Sequence, residues 1–146
     1  MSTAAPSLES IAQPARTTSR GMNIALWVAQ VLLAIAFGMA GAMKLFTPIA
    51  ELAAKMPSEA AMPALIRFIG ASELAGAIGL ILPAATRILP RLTILAAAGL
   101  LVVMVLATAF HVWKGELSHA PVPIVLGAIA GFIVWGRARK APIIPR

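Results

Sequence analysis

The sequence predicts an all-α fold: a polytopic membrane protein built as an antiparallel bundle of four transmembrane helices. Of its 146 residues, 60% are hydrophobic and 12% are charged, whereas a soluble domain averages about 45–50% apolar and about 25% charged residues. So few charged residues cannot cover a core with a hydrated surface, which makes the lipid bilayer the expected solvent. An open sheet leaves unpaired backbone groups in lipid, so helices are expected throughout.

The composition also excludes several kinds of site and partner. The chain has no cysteine, which excludes disulfides, thiolate zinc sites and iron–sulfur clusters. With two histidines and no aspartate, we expect neither a metal site nor haem. The net charge is +7, but the basic residues stand at the ends of hydrophobic stretches. That pattern is typical of membrane orientation, so no nucleic-acid partner is expected.

Four hydrophobic stretches are predicted to cross the membrane, at about residues 24–43, 64–82, 92–111 and 121–136. A helix of about 20 residues covers about 30 Å, the thickness of one hydrocarbon core. Residues 1–23 are predicted to be a disordered tail and residues 140–146 a basic C-terminal tail, which leaves 24–139 as the membrane domain. An alternative for the first stretch is a signal peptide cleaved near residues 40–42.

The connections contain two local signals. Residues 48–55 are predicted to form a short helix lying in the membrane interface, since Ile49, Leu52 and Ala53 share one face. Pro83 is predicted to end the second span, because proline lacks the amide donor that a helix interior uses.

The basic residues predict the orientation of the chain. With both termini in the cytoplasm, the cytoplasmic segments carry eight basic residues and the outer segments carry four, a bias that the positive-inside rule favours. The cytoplasmic set is Arg16, Arg20, Arg87, Arg91, Arg137, Arg139, Lys140 and Arg146. The outer set is Lys44, Lys55, Arg67 and Lys114.

Glycines are the predicted contacts between the helices. Lipid tails are as apolar as leucine, so helices in a bilayer associate through small residues that allow close approach. The alternative is that these glycines merely reflect an Ala/Gly-rich composition. The candidate packing positions are Gly38, Gly41, Gly70, Gly76, Gly79, Gly127 and Gly131.

Glu73 is the residue that most strongly suggests a functional site. A carboxylate inside a span costs about 2.5–3.5 kcal/mol on insertion scales, so it usually faces a partner or a cavity. The topology places it at the same depth as Lys44, Arg67 and His111, in the outer half of the membrane. One interpretation is a polar pocket for an anion or a quinone head group, with Glu73 or His111 moving protons. The other is a structural ion pair of Glu73 with Lys44 or Arg67, and both can hold together.

Five short segments occur in a characteristic order along the four spans: 41–45 (GAMKL), 67–76 (RFIGASELAG), 79–83 (GLILP), 107–111 (ATAFH) and 135–137 (WGR). Together they resemble the DoxX-like family of small four-span bacterial membrane proteins. The resemblance covers about residues 24–139. It implies a multi-pass protein of the bacterial cytoplasmic membrane, in a family named for a subunit of a thiosulfate:quinone oxidoreductase.

Two functional hypotheses follow. The first is a quinone-linked membrane redox accessory subunit, which would need a partner subunit or a bound quinone because it has no electron carrier of its own. The second is a non-enzymatic scaffold or a lipid- or partner-binding module, which acts through the glycine-rich faces of the second and fourth spans. Its first partner is the bilayer itself, and self-association into an oligomer is compatible with either hypothesis. A transporter is less favoured, because the spans lack a broken helix or an internal repeat.

Overall fold

The fold is described by a computed structural model over residues 19–146, so most of the predicted N-terminal tail lies outside the described residues. In this part of the chain every regular element is helical, which confirms the all-α prediction. The elements are α1 (Arg20–Phe46), α2 (Ile49–Lys55), α3 (Pro57–Ala60), α4 (Pro63–Thr86), α5 (Arg91–Lys114), α6 (Pro121–Trp135) and a π-helical turn (Gly136–Lys140).

Four of the helices are long and apolar enough to cross a membrane: α1, α4, α5, and α6 with its π-helical turn. This confirms the multi-pass prediction. The helices extend past the predicted spans, since α1 begins at Arg20 and α5 ends at Lys114. Many large apolar side chains on their outer faces are exposed, among them Ile35, Leu95 and Val122. In a bilayer these side chains would contact lipid tails.

The four long helices form an antiparallel ring. Helix α4 packs on α1 and α5, α6 packs on α5, and a smaller contact between α6 and α1 closes the ring. The core inside it is fully buried and contains Leu33, Phe37, Leu80, Leu100 and Ile133.

Helix α4 continues through Pro83 to Thr86, so the prediction that Pro83 ends the span is wrong. A proline ring inside a helix clashes with the carbonyl four residues earlier and leaves that carbonyl without a donor. The residue four positions before Pro83 is Gly79, which adds no side chain at that turn of the helix. The helix ends instead where Arg87 adopts left-handed backbone angles with φ 60°.

The two ends of the bundle differ in structure. The cap end consists of α2, α3, residues 115–120 and the halves of the long helices that adjoin them, and there the fully buried Leu52 of α2 packs with Ala60 and Ile66. The termini end consists of the start of α1, the turn between α4 and α5, and residues 136–146. The predicted basic tail folds back at this end, because Ala141 is buried and the Arg146 amide donates to the Arg87 carbonyl at 3.3 Å.

Candidate functional site

Helices α1 and α4 touch backbone to backbone where Gly41 meets Gly70. A Cβ atom added to Gly41 would lie 2.7 Å from the Gly70 carbonyl oxygen and 2.8 Å from the Leu74 nitrogen. One added to Gly70 would lie 2.8 Å from the Lys44 Cβ and 3.0 Å from the Gly41 carbonyl oxygen. Real Cβ atoms do not approach that closely, so this crossing requires glycine on both helices.

The same crossing brings Lys44 and Glu73 together. Each lies three residues beyond a crossing glycine, on the face that looks at the other helix. The Lys44 Nζ donates to both carboxylate oxygens of Glu73, each at 2.7 Å. The Glu73 side chain is 2% exposed and that of Lys44 is 16% exposed. The membrane domain therefore contains a buried, mutually neutralised ion pair, held where the two backbones touch.

Arg67 lies at the start of α4 but directs its guanidinium to the end of α1. It donates to the carbonyl oxygens of Lys44 and, at 2.7 Å, of Thr47. The last carbonyls of a helix lack intrahelical donors, so Arg67 caps α1. The Glu73 carboxylate takes its hydrogen bonds from Lys44.

His111 belongs to a separate cluster at the rim of the cap end. Its Nδ1 lies 2.9 Å from a carboxylate oxygen of Glu116, and its Nε2 lies 3.7 Å from one of Glu59. The imidazole of His119 stacks on it with 5.6 Å between ring centroids. Ser58 donates a hydrogen bond to Glu116. These contacts tie α3 and the loop after α5 to the end of α5.

Glu116, which lies outside the spans, is held in its ionised form. The hydrogen bond from the Ser58 hydroxyl and then that from His111 lower the pKa of its carboxyl below the ordinary value. Hydrogen bonds to a carboxylate favour the charged form over the neutral acid. The cluster therefore presents an imidazole flanked by two carboxylates.

The four residues predicted to converge thus divide between two places. The structure brings Lys44 to Glu73, places Arg67 at the adjacent helix end, and sends His111 to Glu59 and Glu116. The topology places all four residues toward the cap end, but the rotation of each helix about its own axis decides which side chains meet.

A third polar cluster, at the termini end, was missed by the sequence reasoning. Arg137 is 2% exposed, and its Nε donates to the Gln30 side-chain oxygen at 2.7 Å. Its Nη1 donates to the Asn23 side-chain oxygen at 2.7 Å and to the Ala141 carbonyl at 3.2 Å. The Arg137 guanidinium also lies over the Trp27 ring, 5.4 Å from the ring centroid.

A signal for this cluster is present in the sequence. Asn23, Trp27 and Gln30 recur at helical spacing on one face of the first span, and polar side chains inside a span seek partners. By its position at the end of the fourth span, Arg137 instead resembles the basic residues that set membrane orientation. The backbone also permits its entry, because Gly136 packs against Leu26 where a Cβ would lie 2.8 Å from the Leu26 Cδ1.

Charge is distributed unequally between the two ends in residues 19–146. The cap end carries four acidic residues, Glu51, Glu59, Glu73 and Glu116, and four basic ones, Lys44, Lys55, Arg67 and Lys114. Every charged residue described at the termini end is basic. This set is Arg20, Arg87, Arg91, Arg137, Arg139, Lys140 and Arg146.

The remaining predicted glycines also lie at contacts between helices. A Cβ on Gly76 would lie 2.6 Å from the Leu100 side chain, and one on Gly79 would lie 2.7 Å from the Ala96 Cβ. Both neighbours are on α5. The α4 glycines thus pack inside the bundle, which corrects the expectation that the second span offers them to a partner. The others lie by these neighbours: Gly38 by Ala77, Gly127 by Met104 and Gly131 by Leu101.

Two apolar grooves run side by side along the outer face of α6, and Ile124 and Ala128 line both of them. The groove between α5 and α6 is lined by Leu101, Val105, Thr108, Ile124, Ala128 and Gly131. The groove between α1 and α6 is lined by Ala25, Val28, Leu32, Ile124, Ala128 and Phe132.

The donor groups for a metal ion do not gather anywhere between Ser19 and Arg146, where no cluster of three or more suitable side chains occurs. Neither a comparison with curated proteins nor one with solved structures gave a match. A family model described as the DoxX-like family matches residues 28–133. This match runs from the first span to the fourth and covers well over half of the chain. The protein therefore belongs to the DoxX-like family.

Proposed function

We propose that this DoxX-like protein is a non-enzymatic membrane module that binds the hydrocarbon chain of a membrane lipid beside α6. The observation that carries the proposal is the pair of apolar grooves on the outer face of this helix. Ala128 lines both grooves and Gly131 lines one of them, and these small residues leave room beside the bulky Ile124. A lipid chain in either groove would contact side chains of two helices at once.

The arrangement of the polar groups favours binding over catalysis at Glu73. Both oxygens of that carboxylate accept hydrogen bonds from Lys44, and the Arg67 guanidinium donates to backbone carbonyls. A general acid or base needs a free position toward its substrate. The hydrogen bonds found for these three side chains all have partners within the fold.

We also propose that both termini face the cytoplasm, in the bacterial inner membrane. The basic termini end and the charge-balanced cap end support this orientation through the positive-inside rule. The chain has no cysteine, so single cysteines report accessibility cleanly. In intact cells a membrane-impermeant maleimide should label Ser118→Cys at the cap end and spare Ala138→Cys at the termini end. The reverse pattern would invert the orientation.

The lipid proposal is tested by extracting lipids from the full-length protein purified in mild detergent. Ala128→Phe places a ring in both grooves, and we expect it to lower the retained lipid about tenfold, equivalent to about 1.4 kcal/mol of binding. Ala75→Phe is the matched control, since Ala75 is an exposed alanine on α4 away from both grooves. Equal retention by wild type and Ala128→Phe would refute the proposal.

A quinone-linked accessory role is the second candidate, and one observation favours it. The α5–α6 groove includes Thr108 and Val112, so it reaches the helical turn that carries His111. An isoprenoid chain in this groove would place its head group near an imidazole flanked by two carboxylates. His111 could then hold or pass a proton, while a partner subunit supplies electrons. Quinone absent from the lipid extract, with quinone-linked respiration unchanged in His111→Gln and Glu73→Gln cells, would exclude it.

A further inference from the structure

Arg137 is a buried cation without a counter-ion among residues 19–146. Its acceptors are the Gln30 and Asn23 amide oxygens and the Ala141 carbonyl, all of them neutral. Its Nη2 is buried and has no hydrogen-bond acceptor in this part of the chain. Neutral dipoles and the Trp27 ring stabilise the guanidinium, but they leave its full positive charge in place.

The residues around Arg137 add to the positive electrostatic potential at this end of the bundle. The described residues at the termini end are basic wherever they are charged, and the four described glutamates lie at the cap end. Arg139 and Lys140 follow Arg137 on the same π-helical turn, and both are exposed. Because burial lowers the effective dielectric, a buried charge attracts an anion more strongly than a hydrated one does. The described residues supply no acidic side chain at this end.

The α1–α6 groove leads toward the same place. Its lining on α1 begins at Ala25, which lies between two Arg137 partners in sequence, Asn23 and Trp27. On α6 the lining extends to Phe132, five residues before Arg137 and thus about 7.5 Å from it along the helix axis. The apolar α1–α6 groove therefore leads to the basic residues of the termini end, and both lie where α1 packs on α6.

We infer that this seam is a binding site for an anionic phospholipid. Its acyl chain would occupy the α1–α6 groove, and its headgroup phosphate would lie against Arg139 and Lys140 in the field of Arg137. Basic clusters at the end of membrane helices are suited to such headgroups. This inference rests on the proposed lipid binding and deepens it, because it names the class of lipid and the groups that select it.

The test is native mass spectrometry of the full-length protein, with phosphatidylglycerol and phosphatidylcholine of identical acyl chains added in mild detergent. We expect wild-type protein to retain phosphatidylglycerol about tenfold better. Arg139→Gln/Lys140→Gln changes exposed side chains and leaves the core intact, and it should reduce that preference at least threefold, most clearly at low salt. Lys55→Gln, an exposed cation at the cap end, is the matched control and should keep the preference.

A second variant and a competitor separate the alternatives. Arg137→Met removes the buried charge and should bring the preference close to one, and its circular dichroism spectrum reports whether the fold is kept. Inorganic phosphate should compete poorly, because it lacks the chain that fills the groove. Displacement of the lipid by equimolar phosphate would assign the site to a free anion and overturn the inference.

Two outcomes distinguish this inference from the function on which it rests. Equal retention of both lipids, lost in Ala128→Phe, would overturn the headgroup inference and leave the lipid-binding function standing. Retention of neither lipid would overturn both.

Discussion

The two ends of the bundle handle buried charge in opposite ways. At the cap end, Glu73 and Lys44 neutralise each other across the α1–α4 seam with two hydrogen bonds of 2.7 Å. At the termini end, Arg137 is as deeply buried but meets neutral amide and carbonyl oxygens, and its Nη2 has no acceptor among residues 19–146. In this part of the chain the cap end has as many acidic as basic side chains, whereas every charged side chain at the termini end is basic.

Glycine makes both arrangements possible, but to different degrees. At the cap end Gly41 and Gly70 bring two backbones into contact, which fixes the distance between the paired charges. At the termini end Gly136 accommodates the Leu26 side chain and lets the following arginine enter. The Gly41–Gly70 contact sets the distance between Lys44 and Glu73, whereas Gly136 only makes room for Arg137.

Removal of one partner of the ion pair should have the largest effect on stability. Glu73→Gln leaves the Lys44 ammonium buried without a counter-ion, and breaking such a pair costs about 3–5 kcal/mol. Thermal unfolding of the detergent-purified protein should show a large drop in Tm. Glu51→Gln changes an exposed glutamate of α2 and should leave Tm unchanged. A Glu73→Gln protein as stable as wild type would show that the Lys44–Glu73 ion pair does not stabilise the fold.

The glycine crossing should rank second. In Gly70→Ala the new Cβ would lie 2.8 Å from the Lys44 Cβ and 3.0 Å from the Gly41 carbonyl oxygen, so the helices must separate. Overpacking of this kind costs about 1–3 kcal/mol. Gly99→Ala is the control, because a Cβ there meets nothing within 4 Å. It should be neutral, or more stable by up to about 1 kcal/mol through helix propensity. Equal effects of the two changes on Tm would contradict the close crossing.

Replacement of Arg137 should cost less than breaking the Lys44–Glu73 pair. Arg137→Met removes the donors to Gln30 and Asn23, and leaving the buried Gln30 oxygen unsatisfied costs about 1–3 kcal/mol. It also removes a desolvated charge, and this gain partly offsets the loss. Arg139→Met, at an exposed position two residues away, should change Tm little. A loss in Arg137→Met larger than that in Glu73→Gln would reverse the proposed difference between the ends.

The smallest expected effect is the acid sensitivity of the cap. Ser58 and His111 lower the pKa of Glu116 below the ordinary carboxyl value, so its contacts stabilise the fold above that value. This contribution is lost as the pH falls through the lowered pKa. The other titratable groups at this cluster are Glu59 and His119.

A titration of Tm from neutral to acid pH would measure this contribution. Glu116→Gln should remove part of the decline, whereas Glu51→Gln should leave the curve unchanged. Identical acid limbs for wild type and Glu116→Gln would show that these hydrogen bonds do not contribute to stability.

The sequence predicts the four spans because long apolar stretches have one stable arrangement in lipid, and it predicts that Glu73 lies inside the second of them, as helix Pro63–Thr86 shows. It does not predict which side chains meet, since helix rotation depends on packing. His111 consequently pairs with Glu59 and Glu116 instead of joining Glu73. Arg137 was missed because arginines at span ends usually reach the headgroups, and neither its π-helical turn nor the space beside Leu26 is visible in a hydropathy pattern.

Double-mutant cycles at the two ends test the difference between them most directly. We predict that Lys44→Met and Glu73→Met couple by about 3 kcal/mol, so that the double variant recovers most of the stability lost in either single one. We predict that Arg137→Met and Gln30→Met couple by about 1.5 kcal/mol, as expected for one hydrogen bond between a charged and a neutral group in a wider network. Additive losses at Lys44 and Glu73, or a stronger coupling at Arg137, would contradict a self-neutralised cap end opposite a charged termini end.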